Sequence, residues 1–174
     1  MLKYTYNYTK GVKRVNTKAN QTTINIQEKS SLIWSIADLI REYYKPHEYG
    51  KVILPMTVIK RFNDTLQPTK QKVLDTYEKV KHLEVIDGFL QRASGYQFYN
   101  ISEYDFEKLV DDSEHIEENF RAYLNGFSEN VQDILENFDF DREISKLANS
   151  GILFLVIEAF NKPNAYMGAD KITA

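Results

Sequence analysis

Apolar residues recur at helical spacing along most of the chain. In residues 32–44 the apolar positions 32, 36, 39, 40 and 43 follow the helical period, and Ser30 and Ser31 before them suit a helix N-cap. Similar stripes run through residues 73–83, 116–127 and 131–138. Each pattern predicts an amphipathic helix with one face in a core.

Two further segments are apolar on nearly every side, which predicts helices at the centre of the protein. Lys51–Leu66 is one and Ile152–Phe160 is the other. Pro55 lies inside the first and would cost about 3 kcal/mol in an ordinary helix interior. Burial contributes about 1.5–3 kcal/mol for each large apolar side chain, so we expect a kinked helix, with a helix that starts at Pro55 as the alternative.

The remaining segments predict connections between helices. Gly95 suits the end of a short helix over residues 86–92, and Gly151 suits the end of a helix capped by Asp139 or Asp141. Residues 96–101 alternate as a strand would, but no partner strand is evident, so we expect an ordered aromatic loop. The whole pattern predicts an all-α fold, a compact bundle of about eight helices with short loops, after a mobile N-terminal arm over residues 1–27.

Composition adds the class of protein. The 174 residues have a mean hydropathy of −0.48, no cysteine, and neither a long apolar run nor the apolar core of a signal peptide. Disulfide scaffolds, cysteine nucleophiles and thiolate metal sites are thereby excluded. We predict a soluble cytoplasmic protein that does not enter a membrane.

Charge is unevenly distributed along the chain. Residues 1–27 hold five basic residues and no acidic one, and residues 41–81 hold nine basic against five acidic. Residues 103–143 hold three basic against fourteen acidic. A polyanion on one side and a basic partner on the other would fit this division, although two solvated helix faces would also produce it.

The residues offer little catalytic chemistry. No two glycines lie close enough to form a phosphate-binding loop, and His47, His82 and His115 share no spacing typical of metal ligands. An acidic cluster over residues 111–118 lacks the spacing of a calcium loop and precedes a predicted helix, where acidic residues favour the helix dipole.

Several segments in order carry a more specific signal. They are Ile36-Ala37-Asp38-Leu39-Ile40-Arg41, Glu48-Tyr49-Gly50-Lys51-Val52-Ile53-Leu54-Pro55, Thr57-Val58-Ile59-Lys60-Arg61-Phe62, Phe98-Tyr99-Asn100-Ile101-Ser102, Phe127-Ser128-Glu129-Asn130-Val131 and Phe138-Asp139-Phe140-Asp141. Over about residues 30–160 the chain resembles the N-terminal helical domain of the modification (M) subunit of type I restriction–modification systems.

The resemblance implies a function. Members of that family are adenine-N6 DNA methyltransferases that use S-adenosylmethionine. Two M subunits join one specificity (S) subunit, and restriction (R) subunits add DNA cleavage. The resemblance implies that the helical domain closes over DNA, takes part in sensing its methylation, and helps assembly with the S subunit.

The catalytic motifs of the family are absent from these 174 residues. The four prolines are never adjacent, so the Pro-Pro loop that holds an extruded adenine is missing, and so is the glycine-containing cofactor motif. Asp170-Lys171-Ile172-Thr173 resembles the residues that immediately precede the family's Met-Gly-x-x-Phe-Glu helix. We therefore expect a truncated product, inactive alone and without its own cofactor, with a helical domain over residues 28–162 and the start of a linker over residues 163–174.

Candidate DNA contacts follow from charge and chemistry. Basic side chains could meet phosphates, and polar groups near the aromatic loop could meet base edges. These candidates are Lys51, Lys60, Arg61, Lys70, Arg92, Tyr99 and Asn100. For each one, a solvated cation or a side chain packed in a loop is the structural alternative.

Two alternative functions stay open at this point. The chain could be a free-standing helical module, such as a decoy that binds the S subunit, or an enzyme with a carboxylate metal site, which ranks last. We also hypothesise that translation starts at Val15, because Lys10-Gly11-Val12 can be encoded by a ribosome-binding sequence; otherwise the basic arm could contact DNA.

Overall fold

The computed structural model describes residues 23–168, and within them nearly all regular structure is helical. The α-helices are α1 (residues 23–40), α2 (Gly50–Leu66), α3 (Lys70–Val80), α4 (Asp87–Ser94), α5 (Phe106–Leu109), α6 (Ile116–Asn125), α7 (Glu129–Glu136), α8 (Phe140–Asn149) and α9 (Leu153–Phe160). Short 3-10 turns cover Pro46–Glu48, Gln67–Thr69 and Pro163–Ala165. The prediction of an all-α bundle is confirmed.

Most helices surround one large core. α2 packs against α8, α5 against α9, and α6 against α5, α8 and α9. Their shared interior includes Phe106, Phe120, Tyr123, Leu147 and Phe160, all almost completely buried. The nearly all-apolar helix predicted over residues 152–160 is α9, which places five apolar side chains in this core.

A second, smaller core lies between α3 and α4. It consists of Val73, Val80, Leu90, Ala93 and Tyr99. The hairpin of α3 and α4 ends at Gly95, whose φ of 81° is a conformation that glycine adopts without strain. The predicted glycine end of this helix is confirmed.

α2 runs through Pro55 without a break, so the alternative start at Pro55 is wrong. The lost N–H of Pro55 is tolerated because Val52, Met56 and Ile59 on the same helix are fully buried. The helical prediction for this segment is therefore correct almost to the residue.

The predicted start of the first helix is wrong. α1 already includes residue 23, well before the serines near residue 30, so residues 23–27 of the predicted arm are helical. Residues 1–22, with the rest of that arm and the hypothesis of a start at Val15, lie outside the described residues, as do residues 169–174.

The aromatic loop after Gly95 is ordered, as predicted, and its one ladder contact is a bridge between Asn100 and Phe127. Asp105 caps α5, because its carboxylate accepts a hydrogen bond from the Lys108 N–H at 2.8 Å. Asp139 stands at the N-cap of α8 but makes no side-chain cap bond.

Candidate nucleic-acid interface

Lys60 lies inside the protein. The residue is 5% exposed, its ammonium lies 2.9 Å from the Asp64 carboxylate one turn along α2, and it also faces the Phe106 ring. Asp64 is equally buried. Removing one member of such a pair leaves the other charge buried without a partner, which costs about 3–5 kcal/mol. In this structure Lys60 therefore serves the core.

Arg61 and Asp64 hold the last described residues against α2. The Arg61 guanidinium donates to the Met167 carbonyl, and the Met167 N–H donates to the Asp64 carboxylate at 2.7 Å. Both contacts reach the backbone of the segment that follows α9. This part of α2 thus fixes where the chain leaves the helical core.

Asn63 joins three helices, a role that the sequence reasoning missed. Its side-chain oxygen accepts from the Phe106 N–H and from the Tyr123 hydroxyl, each at 3.2 Å. Burial, followed by the nearby carboxylates of Asp105 and Asp64, raises the pKa of Tyr123 well above its usual value. The available signal was the polar run Asn63-Asp64-Thr65 at the end of an otherwise apolar helix, since such residues must find partners when buried.

Lys70 holds the loop before α5. Its ammonium donates to the Ser102 carbonyl at 2.8 Å and to the Tyr104 carbonyl. Loss of water around the ammonium lowers the pKa of Lys70 to about 8, although the Asp105 carboxylate acts in the opposite direction. The predicted phosphate contact is therefore turned inward in this structure.

Tyr99 and Asn100 anchor the aromatic loop from beneath. The Tyr99 hydroxyl donates to Asp87 at the start of α4, and burial followed by that hydrogen bond raises its pKa. Asn100 is 5% exposed, donates to the Tyr123 carbonyl at 2.9 Å and accepts from the Ser102 N–H at 2.7 Å. Neither polar group faces solvent.

The turn between α6 and α7 receives this loop. The Ile101 N–H donates to the Gly126 carbonyl at 2.8 Å, and the Ser128 N–H donates to the Tyr99 carbonyl at 3.0 Å. A Cβ on Gly126 would lie 2.7 Å from both the Asn100 side chain and the Ser102 backbone. Only glycine fits this contact.

Two of the predicted contacts are exposed. Lys51 is the second residue of α2 and lies 3.1 Å from Glu48, whose pKa is lowered to about 2 by the Lys45 backbone N–H and then by Lys51. Arg92 is exposed on α4, just before the left-handed Gly95. Tyr96, which follows, is 39% exposed and stacks on Phe98.

The seven predicted residues thus fall into three groups. Lys60 and Arg61 lie on the part of α2 that holds the segment after α9. Lys70 and Asn100 line one small cavity beneath the loop, and Tyr99 anchors the same loop. Lys51 and Arg92 lie on the surface of different helices. The structure does not bring all seven into one site.

An acidic groove of about 430 Å³ lies between α6, α7 and α8. Its charged lining comes from Arg121, Glu136, Asp139 and Asp141. Arg121 pairs with Asp141 and, at 3.0 Å, with Glu117. Asp139 has a φ of 49°, an uncommon conformation for a residue other than glycine.

The acidic cluster before α6 is organised around the helix start. The Asp112 carboxylate accepts from the His115 N–H at 3.2 Å, which lowers the pKa of Asp112. Over residues 23–168 no group of three or more histidine, aspartate or glutamate side chains is placed to hold a metal ion. No helix in this range is long and apolar enough to cross a membrane.

Comparison with known families identifies this arrangement. Residues 29–160, about three quarters of the chain, match the family model described as the HsdM N-terminal domain. This chain belongs to that family. It is therefore the N-terminal domain of the M subunit of a type I restriction–modification system, and the subunit is part of such a complex.

The family assignment confirms the resemblance and its extent. The matched range runs from Lys29 on α1 to Phe160, the last residue of α9, so it covers the large core and the α3–α4 hairpin together. No curated protein matches the chain, and no solved structure matches it. The seven DNA contacts stay predictions.

Proposed function

We propose that this HsdM N-terminal domain contacts DNA and supports assembly within the M subunit of an adenine-N6 methyltransferase. The single observation that carries the proposal is the family match over residues 29–160. S-adenosylmethionine and the methyl-transfer chemistry then belong to another part of the subunit, because these 174 residues lack the Pro-Pro loop. Because such a complex would act on chromosomal DNA, we propose that it is located in the cytoplasm.

In this proposal the exposed basic side chains contact DNA. Lys51 and Arg92 present their charges to solvent, whereas Lys60 is paired inside the core and Lys70 is held by two carbonyls. Tyr96, four residues after Arg92, offers an exposed ring that could stack on a base. Tyr99 and Asn100 serve the same function indirectly, since they anchor the loop that carries Tyr96, and Lys70 holds the residues that follow this loop.

The charge division supports the assembly role. The acidic segment over residues 103–143 includes the groove between α6, α7 and α8, which repels phosphate and suits a basic protein surface. We assign this side to contacts with the S subunit, the second M subunit or the R subunits.

Salt-dependent DNA binding by the purified complex of M and S subunits tests the proposal. Replacing Lys51 and Arg92 together by alanine should weaken binding and reduce the slope of log K against log salt by about 1 to 2, because each phosphate contact contributes about 0.9 to that slope. Lys60 and Arg61 are left unchanged, since their loss would disturb the core and the chain exit.

The matched control replaces Lys108 and Lys162, which are exposed lysines that are not among the proposed DNA contacts. This control should retain the slope of the unaltered complex. An unchanged slope for the Lys51 and Arg92 variant would contradict the DNA contact. Sedimentation of the same complexes tests assembly, because an M subunit without this domain should recover less S subunit.

A further inference from the structure

α1 carries an apolar stripe along its length that the domain covers only in part. Ala37 and Ile40 in the C-terminal half are buried in the domain. At the spacing of 3, 4 and 7 residues that keeps side chains on one helix face, the stripe continues to Ile33 and Ile26. There it is uncovered: Ile26 is 61% exposed, Ile33 is 48% exposed and the adjacent Trp34 is 72% exposed.

These three residues, Ile26, Ile33 and Trp34, form what we call the α1 apolar face. Single exposed apolar residues are common on protein surfaces and need no explanation. Here, however, two exposed isoleucines continue the buried positions over two turns, and the chain's one tryptophan lies next to Ile33. A helix end that only met water would be expected to carry polar residues at these three positions.

The end of the described chain crosses this face. Lys29 lies three residues after Ile26 and four before Ile33, so its side chain shares their side of α1. Its ammonium donates to the carbonyls of Asn164 at 3.0 Å and Tyr166 at 2.6 Å. The backbone after α9 therefore lies within reach of Lys29, on the side of α1 that carries the two isoleucines.

The crossing is fixed from a second helix as well. Arg61 and Asp64 on α2 bind the carbonyl and the N–H of Met167. Residue 168 is buried, so the chain is still held when it reaches this point. Any polypeptide that continues beyond it starts two residues after Tyr166, the last residue that Lys29 holds against α1.

We propose that the α1 apolar face is the docking surface for the part of the M subunit that follows this N-terminal domain. The inference rests on the family assignment and goes beyond the proposed DNA contact. An apolar strip of the following domain would cover Ile26, Ile33 and Trp34 and complete the stripe that begins in the core.

The size of the face favours this occupant over a second copy of the chain. Three partly exposed side chains offer about 300 Å², well below the roughly 800 Å² for each partner in a stable interface between separate proteins. A segment tethered at residue 168 needs less area, because the tether gives it a millimolar effective concentration.

Hydroxyl-radical footprinting read by mass spectrometry tests the proposal without DNA, so its failure is separate from failure of the DNA role. Oxidation of Trp34 is compared between the 174-residue chain and the M subunit that begins with it. We expect oxidation to fall about five-fold or more in the subunit, as for a 72% exposed side chain that becomes buried. Phe89, 46% exposed on α4, is the internal control and should not change.

A variant sharpens the result. Ile33→Glu in the M subunit should restore oxidation of Trp34 and speed proteolysis just after residue 168, because a charge on this face opposes docking. Val85→Glu places the same charge at a site that is 74% exposed in the α3–α4 turn and should change neither readout.

Other outcomes would overturn the proposal. Equal oxidation of Trp34 in both proteins, or protection that survives Ile33→Glu, would exclude docking at this face. Protection that rises with concentration of the 174-residue chain would assign the face to a second copy. Protection lost on removal of residues 1–22 would assign it to that segment, and protection only after addition of S subunit would assign it to that partner.

Discussion

The large core and the α3–α4 hairpin differ in how they are held together. Among the described residues, the large core contains 27 buried apolar side chains, whereas the hairpin core contains five. The hairpin adds polar anchors, such as Thr69 donating to the Ser94 carbonyl at 3.0 Å and Tyr99 donating to Asp87. A region with few buried apolar contacts opens at lower free energy, so the hairpin should open before the rest.

The largest expected effect separates the two regions directly. Phe106→Ala in the large core should lower the free energy of unfolding by about 3–5 kcal/mol, since it removes a fully buried ring. Hydrogen exchange should then accelerate throughout the described helices.

Leu90→Ala is the matched change in the hairpin, because Leu90 is also fully buried. It should lower the free energy for local opening of the hairpin by about 2–5 kcal/mol. Faster hydrogen exchange should then be confined to α3 and α4. Uniform acceleration by Leu90→Ala would show that the hairpin and the large core form one cooperative unit.

A smaller effect is expected where the two regions join. Gly126→Ala would place a methyl group 2.7 Å from the Asn100 side chain and the Ser102 backbone. The loop must then move away from the α6–α7 turn, and we expect a loss of about 1–3 kcal/mol by denaturant unfolding. Gly88→Ala is the control, because the space around Gly88 is open. Equal stabilities of the two variants would contradict this close contact.

The smallest effect concerns Lys70 and depends on pH. Its folded pKa of about 8 lies below the usual 10.5, so the unfolded chain binds more protons between these values and stability rises with pH there. The free energy of unfolding of the unaltered chain, relative to that of the Lys70→Met variant, should therefore increase by about 1–2 kcal/mol between pH 7.5 and 9.5. Urea unfolding at several pH values measures this difference. A difference that stays constant with pH would place the Lys70 ammonium in water.

Periodicity predicted the large core well because its helices are amphipathic or wholly apolar. α2 and α9 lie where the pattern placed them, and Gly95 and Gly151 follow helix ends. The start of α1 was missed because residues 23–29 have β-branched residues in alternation and no capping pattern. Lys29 on this helix is held by carbonyls more than 130 residues away along the chain. Such distant contacts cannot be recognised from local spacing.

The candidate site was less predictable. The spacing of Lys60 and Asp64 on an apolar helix could have indicated a buried pair, because charges on such a helix must be matched. Asn100, in contrast, donates to Tyr123 and packs against Gly126, both more than 20 residues away along the chain. Burial of Tyr99 and Asn100 is a property of the packed fold.

The clamp at the chain exit has a consequence for how this domain tolerates change. Lys29, Arg61 and Asp64 each bind main-chain atoms of residues 164–167. α1 and α2 thus set the direction of the chain after α9 through its backbone. Tolerance to substitution in this segment should therefore be limited mainly by the side chains of Ala165 and Met167, which are buried in the large core.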